Sequence, residues 1–352
     1  MILSELRIHH LRNITEATLF FNPHFNFIYG PNGSGKTSIL EALYLLSCGH
    51  SFKTREIAPI VTLGQSNLTV FSRFTDNSTI SIQKSAGQPT QIKINNQLCY
   101  TTSQLAYAVP CQIFYADIFQ IIDAGPGVRR SVLDWGLFHV KQNYLSLWKD
   151  YKRIIKHRNA LLKKHAAYQE FIPWDKQLDL IATQMDNLRS EYFVQWRDSF
   201  YHTLEKLTST TCTLEYYKGW DKKNANKSLF EVLAEHFNSD LQRQFTQFGP
   251  HQADIIISSD ETKAKHILSR GQQKIILIAL KLAQGSLLKG DCLYLFDDLP
   301  AELDAKHQRS LFDYLNSSKG QFIFTCISEA EFVNCIPYLN HSSFSMNSGS
   351  VL

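Results

Sequence analysis

Residues 30–37, GPNGSGKT, carry the spacing G-x-x-x-x-G-K-[ST] between a short apolar run at 25–30 (FNFIYG) and a helix-patterned run at 37–47 (TSILEALYLLS). A strand, a tight loop and a helix start make a phosphate cradle. Gly30, Gly33 and Gly35 let the backbone curl so that successive N–H groups turn inward on phosphate oxygens. Lys36 reaches the β- and γ-phosphates, and the Thr37 hydroxyl ligates Mg2+. Pro31, Asn32, Ser34 and Ser38 complete the candidate nucleotide-binding set. No guanine-reading N-K-x-D run is evident.

Such a site needs a carboxylate strand as well. CLYLFDD (292–298) supplies one: a buried-type parallel strand with two aspartates at its C-terminal end. Asp297 is the candidate for the Mg2+ shell, and Asp298 for orienting or deprotonating an attacking water. A cap for the turn before Pro300 would explain Asp298 as well.

The stretch HILSRGQQKIILIALKLAQ (266–284) sets Ser269, Arg270, Gly271, Gln272 and Gln273 directly ahead of an apolar helical run. The first turn of a helix leaves N–H groups unpaired and carries positive dipole charge, so these residues can make an anion site. Ser269 as a helix cap and Arg270 as a solvated side chain fit the same letters.

Basic charge is concentrated in KDYKRIIKHRNALLKKH (149–165), where Lys149, Lys152, Arg153, Lys156, Arg158, Lys163 and Lys164 stand against Asp150 alone. Helical spacing puts Lys149, Lys152, Arg153, Lys156 and Lys163 on one broad face, leaving Tyr151, Ile154, Ile155, Leu161 and Leu162 to bury the other side. The face is either simply solvated or a surface for nucleic-acid phosphates. Phosphate contacts would make binding salt-sensitive and largely independent of sequence. No base-reading helix and no single-strand stacking motif is legible.

The elements that position these residues divide the 352-residue chain into an α/β unit interrupted by a helical lobe. The expected division is 1–120 for the first part of the α/β unit, 121–245 for the lobe and 246–352 for the second part. Short alternating segments between about 65 and 100 predict an antiparallel meander. Beyond DAGPGVRR (123–130) the pattern predicts two long helices, roughly 129–168 and 174–208, broken at Pro173 and folded into an antiparallel hairpin. QFGPHQADIIISS (247–259) returns to strand.

The formal net charge of +4 is too small to identify a polyanionic partner, so any basic surface must be local. Seven cysteines (48, 99, 111, 212, 292, 326, 335), with no C-x-x-C pair, suit reduced thiols in a cytoplasm rather than a disulfide framework or a zinc site. The N-terminus has no signal-peptide apolar block, and the longest apolar stretch, near 275–280, is far short of a membrane span. A soluble cytoplasmic protein is expected, with no membrane association.

In order along the chain, GPNGSGKT, LSRGQQK, LFDDLPAELD and FIFTC resemble the Walker A, signature, Walker B, D-loop and switch segments of ABC-type ATPase heads. Within that superfamily, LRNI (11–14), GHSFKT (49–54), GPGVRRSVLDWGLFHV (125–140), KHRNALLKK (156–164) and FGPHQADI (248–255) are similar to the RecF family of bacterial recombination mediators. The resemblance covers most of the chain. It implies an α/β ABC-type ATPase head, a P-loop fold with a mixed sheet and an antiparallel meander, interrupted by a mostly helical second lobe. It also implies ATP and Mg2+ as cofactors and weak, DNA-stimulated ATP hydrolysis.

In ABC heads two subunits pack head-to-tail. By resemblance, Ser269, Arg270, Gly271 and Gln272 would meet nucleotide held by Lys36 of a second copy, and Ala301, Glu302, Leu303 and Asp304 would form the D-loop crossing the same interface. Arg12 and Arg55 as nucleotide contacts, and Gln112 as the Q-loop glutamine, rest on the same ground. The implied partners are DNA, as duplex or single/double-strand junction and without sequence preference, together with RecR, RecO and RecA.

Four positions depart from the pattern. Asp298 replaces the glutamate of transporter heads, although aspartate is usual in the RecF group, and Cys326 stands where transporters place a switch histidine. Both imply slow turnover. Gln252 and His50 replace expected arginines. The competing readings are a transporter's ATPase subunit, which needs a membrane-partner surface in place of the basic hairpin, and a small-molecule kinase, in which LSRGQQK is incidental.

Overall fold

The computed structural model describes residues 1–222, 225–259, 262–298, 303–328, 330 and 340–352. The chain forms two compact units: Met1–Ile118, Lys206–Thr208 and Leu288–Leu352 make the first, and Phe119–Glu205 and Ser209–Leu287 the second.

The first unit begins with a hairpin of β1 (Leu3–Leu11) and β2 (Ile14–Phe20), followed by β3 (Phe25–Tyr29) and α1 (Lys36–Cys48). A meander of β4 (Asn67–Phe74), β5 (Thr79–Ser85), β6 (Gln91–Ile94) and β7 (Gln97–Leu98) comes next, then α2 (Thr102–Ala108) and β8 (Cys111–Phe114). The second unit contains the helices α3 (Gln120–Asp123), α4 (Pro126–Val140), α5 (Tyr144–Lys163) and α6 (Tyr168–Leu207). It continues through β9 (Thr213–Tyr217), α7 (Leu229–Glu235), α8 (Phe237–Arg243), β10 (Asp254–Ser259), β11 (Thr262–Lys263), α9 (Ala264–Ile267) and α10 (Arg270–Ser286). The chain then returns to the first unit with β12 (Leu293–Phe296), α11 (Ala305–Asn316), β13 (Gln321–Cys326), β14 (His341–Asn347) and β15 (Ser350–Val351).

Two sheets enclose α1. One is antiparallel, in the order β2-β1-β4-β5-β6-β7, and includes the expected meander. The other runs β15-β14-β3-β13-β12-β8 and is parallel from β14 to β8. Ile39, Leu40, Leu43, Leu45 and Leu46 of α1 share a core with Leu6 and Ile8 of the first sheet and with Ile28, Leu295 and Ile323 of the second. A helix with apolar residues nearly all round is stable only when covered on several sides. The opposite face of the parallel sheet is aromatic. Phe114, Phe296, Phe324 and Phe27 lie in register on four adjacent strands, with successive ring centroids 4.3, 4.5 and 5.4 Å apart. Burial on both faces explains why β3, β12 and β13 read as continuous apolar runs rather than alternating ones.

In the second unit, α5 and α6 form the expected antiparallel hairpin: Tyr144 bonds Arg189 near the start of α5, and His157 and Arg158 meet Trp174 and Asp175 near its end. The helix limits differ from expectation. The first stretch is split at 141–143 into α4 and α5, and the second break falls at 164–167 rather than at Pro173, which lies inside α6. Pro173 comes early in the helix, where it removes one backbone hydrogen bond, and the buried Phe171 and Leu178 on either side hold the segment in place. The expected boundary at 245 falls at 287. Strand β10 pairs with β9, and α10 packs within the helical unit, where Trp196 Nε1 donates to the Leu280 carbonyl and Gln284 to the Val132 carbonyl.

Two of the distinctive sequence stretches meet here. Arg129 donates to both carboxylate oxygens of Asp254 at 2.7 and 2.9 Å, and Arg130 donates to the Ala253 carbonyl at 2.7 Å. Arg189 of α6 donates to the Pro250 carbonyl at 2.7 Å. GPGVRRSVLDWGLFHV and FGPHQADI are therefore two halves of one structural joint. Gln252, in place of the expected arginine, is exposed in its turn. Among the described residues, no helix is long and apolar enough to cross a membrane.

Candidate nucleotide-binding site

The loop at 30–35 leaves the C-terminal end of β3, a buried strand held between β13 and β14, and its last residue, Gly35, is the N-cap of α1. Two glycines explain its shape. A Cβ on Gly30 would lie 2.3 Å from the Met346 carbonyl oxygen, so β14 can approach only a glycine. Gly33 has φ +79 with open space around it, so its backbone conformation, not crowding, calls for glycine. Asn13, in the β1–β2 turn, braces the loop from outside by donating to the Gly33 carbonyl at 2.9 Å.

Lys36 is 5% exposed, and its ammonium donates to the carbonyls of Gly30 (2.8 Å) and Pro31 (3.1 Å). A nearly buried cation whose hydrogen bonds go to neutral carbonyls favours an arriving anion. The hydroxyl of Ser34 is buried with no hydrogen-bond partner among the described residues. An open cavity of about 1030 Å3 adjoins the loop, and Arg12, Asn32, Lys36, Thr37, Lys53 and Asp298 are among its lining residues. That volume suits a whole nucleotide rather than a phosphate alone.

The carboxylates come from the end of β12, flanked by β8 and β13. The Thr37 hydroxyl donates to Asp297 at 2.9 Å, bringing together the two residues expected to flank Mg2+. Thr325, fully buried at the end of β13, donates to the same Asp297 oxygen at 2.9 Å and accepts the Asp298 N–H at 2.9 Å. Burial pushes the Asp297 carboxyl above its usual range; hydrogen bonds from Thr325 and Thr37 oppose the rise, the Asp298 charge adds to it and Lys53 counters it. Asp297 is therefore a carboxylate short of positive charge. With Thr37 beside it and Lys36 close by in sequence, this donor set fits a divalent cation bound to a polyphosphate. Asp298 is exposed, lines the cavity and has φ +51.

Some residues singled out in the sequence are placed differently. Arg12 lines the cavity, but its guanidinium is engaged by both oxygens of Glu41 at 2.8 Å, an acid that also accepts from Ser51. The Glu41 hydrogen bond raises the Arg12 pKa. Arg55 is exposed and does not line the cavity. Gln112 lies within β8, paired opposite Tyr294 and 4% exposed, and likewise does not line it. Burial lowers the His50 pKa, and the ring nitrogen contacts the Ser51 carbonyl at 3.0 Å. The Cys326 side chain is buried against β3, so at the end of β13 Thr325, not Cys326, meets the carboxylates. Thr325, Lys53 and Asn13 are the residues that sequence reasoning missed. Each lies in a stretch noted for its resemblance, but only the fold shows what it touches.

In the second unit Ser269 is the N-cap of α10. Its hydroxyl accepts from Gln272 N–H, and the Gln272 side chain accepts from Ser269 N–H at 2.9 Å. The cap reading therefore holds, yet it does not use up the helix end. Ser269 can accept and donate at once, and the N–H groups of Arg270 and Gly271 remain among the unpaired ones of the first turn. Ser269, Arg270, Gly271 and Gln272 are all exposed, and a Cβ on Gly271 would meet nothing within 4 Å. Arg270 pairs with Asp123 at 2.7 Å. Asp304 caps α11 by accepting from His307 N–H at 2.8 Å; Ala301 and Glu302 lie outside the described residues. Lys149, Lys152, Arg153, Lys156, Lys163 and Lys164 are all exposed, whereas Arg158 is fully buried between Asp175 and Asp240.

Comparison with known proteins agrees with this architecture. Residues 2–343 match the RecF/RecN/SMC N terminal domain. The chain is 37% identical over 341 residues to the DNA replication and repair protein RecF of Pseudomonas syringae pv. tomato, covering 94% of this chain and 92% of that one. It is 36% identical over 337 residues to RecF of Azotobacter vinelandii, covering 93% and 91%. Among solved structures, the recombination mediator protein RecF-ATP of the RecFOR pathway has the same fold, with a TM-score of 0.84 at 24% identity over 100% of this chain and 97% of that one. An Smc head bound to the C-winged helix domain of ScpA gives 0.61 at 16% identity, covering 100% and 98%. The fold is thus that of an ABC-type ATPase head, and the chain belongs to the RecF family.

Proposed function

We propose that this chain is an ATP-dependent DNA-binding protein of cytoplasmic recombinational repair and replication-fork maintenance. It closes head-to-tail with a second copy on gapped DNA or at single/double-strand junctions, opens after weak, DNA-stimulated hydrolysis of ATP to ADP and phosphate, and promotes loading of RecA together with RecR and RecO. The observation that carries the reading is the contact of Thr37 with Asp297, with Lys36, Thr37 and Asp298 lining a cavity of about 1030 Å3. Bound Mg2+-ATP supplies the scissile phosphate and the charge that Asp297 lacks. The loop N–H groups of 30–35, Lys36 and Ser38 hold the phosphates, Thr37 and Asp297 hold the cation, and Asp298 orients the attacking water.

Ser269, Gly271 and the exposed start of α10 then offer unpaired N–H groups to nucleotide on the second copy, with Asp304 in the adjoining interface. Closure follows from preferential binding of ATP to the paired state. The exposed basic face of α5, with Lys149, Lys152, Arg153, Lys156 and Lys163, followed by Lys164, takes DNA phosphates without reading sequence.

The test is sedimentation velocity on Asp298→Asn with Mg2+, in ATP and in ADP, alone and with DNA, repeated with Ser269→Arg added. A dimer formed with ATP and lost on adding Ser269→Arg, while ATP binding persists, is the expected result. A protein that stays monomeric with both ATP and DNA bound refutes the clamp.

A further inference from the structure

We propose that the groove between α5 and α6 is a pocket for an unpaired nucleobase, which places the first unpaired base of the single/double-strand junction implied by the family resemblance against His157 and Trp174. The inference rests on the DNA-binding reading above. The groove has a volume of about 670 Å3 and its wall includes Ile154 and Ile181 with the rings of His157 and Trp174. Those two rings come from different helices, with centroids 4.0 Å apart and planes inclined by 41°. Their distance in sequence hides the pair. Trp174 is half-buried and His157 exposed, so the aromatic surface is held by packing but still reachable.

The rim selects the occupant. Arg153 and Lys156 border the groove, and Lys149 and Lys152 lie on the same exposed face. Asp150 also lines it, and Arg153 meets that carboxylate at 3.2 Å, which offsets its charge. A run of cations leading to an aromatic wall suits a polyanion with flat, apolar side groups, and single-stranded nucleic acid is that polymer. A paired base is stacked between neighbours and cannot enter; the first unpaired one can. Gln177 at the groove wall offers amide hydrogen bonds to any base edge, so little sequence preference follows.

The experiment measures equilibrium binding of the full chain, with Mg2+ and ATP, to a blunt duplex and to the same duplex carrying a single-stranded extension. Four forms are compared: the unaltered protein, Trp174→Ala, Trp174→Phe, and a triple variant in which Lys152, Arg153 and Lys156 become alanine. Trp174→Ala should weaken binding to the extended duplex roughly tenfold, within the range for a base stacked on an aromatic ring, and leave the blunt duplex and its salt slope unchanged. Trp174→Phe should restore most of the loss. The triple variant should weaken both substrates and flatten the salt slope. On the unaltered protein, 5-iodouracil at the first unpaired position should photocrosslink to a peptide containing residue 157 or 174, a readout independent of any folding defect. Equal losses on both substrates, no loss with Trp174→Ala, or a crosslink elsewhere overturns the pocket. If the unaltered protein binds neither DNA, the DNA-binding reading itself fails.

Discussion

Thr325 joins the two carboxylates of the candidate nucleotide site, and replacing it isolates their contribution. Thr325→Val keeps the volume and branching of the side chain but removes a fully buried hydroxyl. Asp297 then keeps the Thr37 hydroxyl at 2.9 Å and loses the Thr325 hydroxyl at 2.9 Å, while the Asp298 N–H loses its acceptor. A hydrogen bond to a charged group contributes about 1.5–3 kcal/mol, and an unmet buried donor costs about 1–3 kcal/mol. The first loss falls on cation binding, because Asp297 is less readily ionised without its donor and is free to turn away from Thr37. An outer-shell partner of a metal ligand typically accounts for about 10–100-fold in affinity. The second loss falls on Asp298, whose left-handed backbone (φ +51) is held by that N–H contact.

Thr325→Val should therefore reduce the Mg2+-dependent part of ATP affinity by about 10–100-fold and lower folding stability by about 2 kcal/mol. Calorimetric titration of ATP, with Mg2+ and again with EDTA, separates the cation-dependent part from binding by the loop and Lys36. Thr325→Ser, which keeps the hydroxyl, should stay within a few-fold of the unaltered protein. An unchanged Mg2+-dependent increment in Thr325→Val would refute the coupling. An equal loss in Thr325→Ser would assign the effect to packing.

Two further expectations concern the second unit. Arg129→Ala leaves Asp254 without its bidentate partner, both being about 15% exposed, and should destabilise the protein by about 3 kcal/mol in urea unfolding; a change below about 1 kcal/mol would show that the joint between the two motifs is incidental. Burial against Trp135 and Phe138 lowers the His139 pKa from 6.5 to about 4, so its contribution to stability is present above pH 6.5 and is lost as pH falls towards 4. The stability difference between the unaltered protein and His139→Phe should thus change by about 2–3 kcal/mol across that window, and a flat difference curve would place the ring in water.

The parts of the site that were legible in the sequence are those made by neighbours in the chain. A phosphate loop consists of eight consecutive residues whose backbone must curl, so glycine spacing and the lysine that follows specify it locally. Asp297 and Asp298 are readable because a buried parallel strand announces itself by an apolar run and stops where its acids begin. The exposed face of α5 follows from helical period alone, whereas Arg158, counted with its basic residues, is buried in the stripe of Tyr151, Ile154 and Leu162 by its pairing with Asp175 and Asp240.

What depended on the tertiary structure is every pairing across a long stretch of chain. Thr325 reaches Asp297 only because β13 lies beside β12 in register, and Arg129 meets Asp254 only because α4 packs on β10. Gln112 illustrates the converse: its position before the helical lobe matched a loop, but the strand pairing of β8 draws it into the sheet. Pro173 predicts a break because proline removes a backbone donor, yet near a helix start that loss is small beside the packing around it. At the start of α10 the structure shows the cap that the sequence allows, and because the Ser269 hydroxyl takes only the Gln272 N–H, the N–H groups of Arg270 and Gly271 remain among the unpaired ones of the first turn. Periodicity and local spacing report which way a side chain points along its own element. Which distant element stands opposite is decided by closing the chain around a shared core, and that information is spread over residues that carry none of the chemistry.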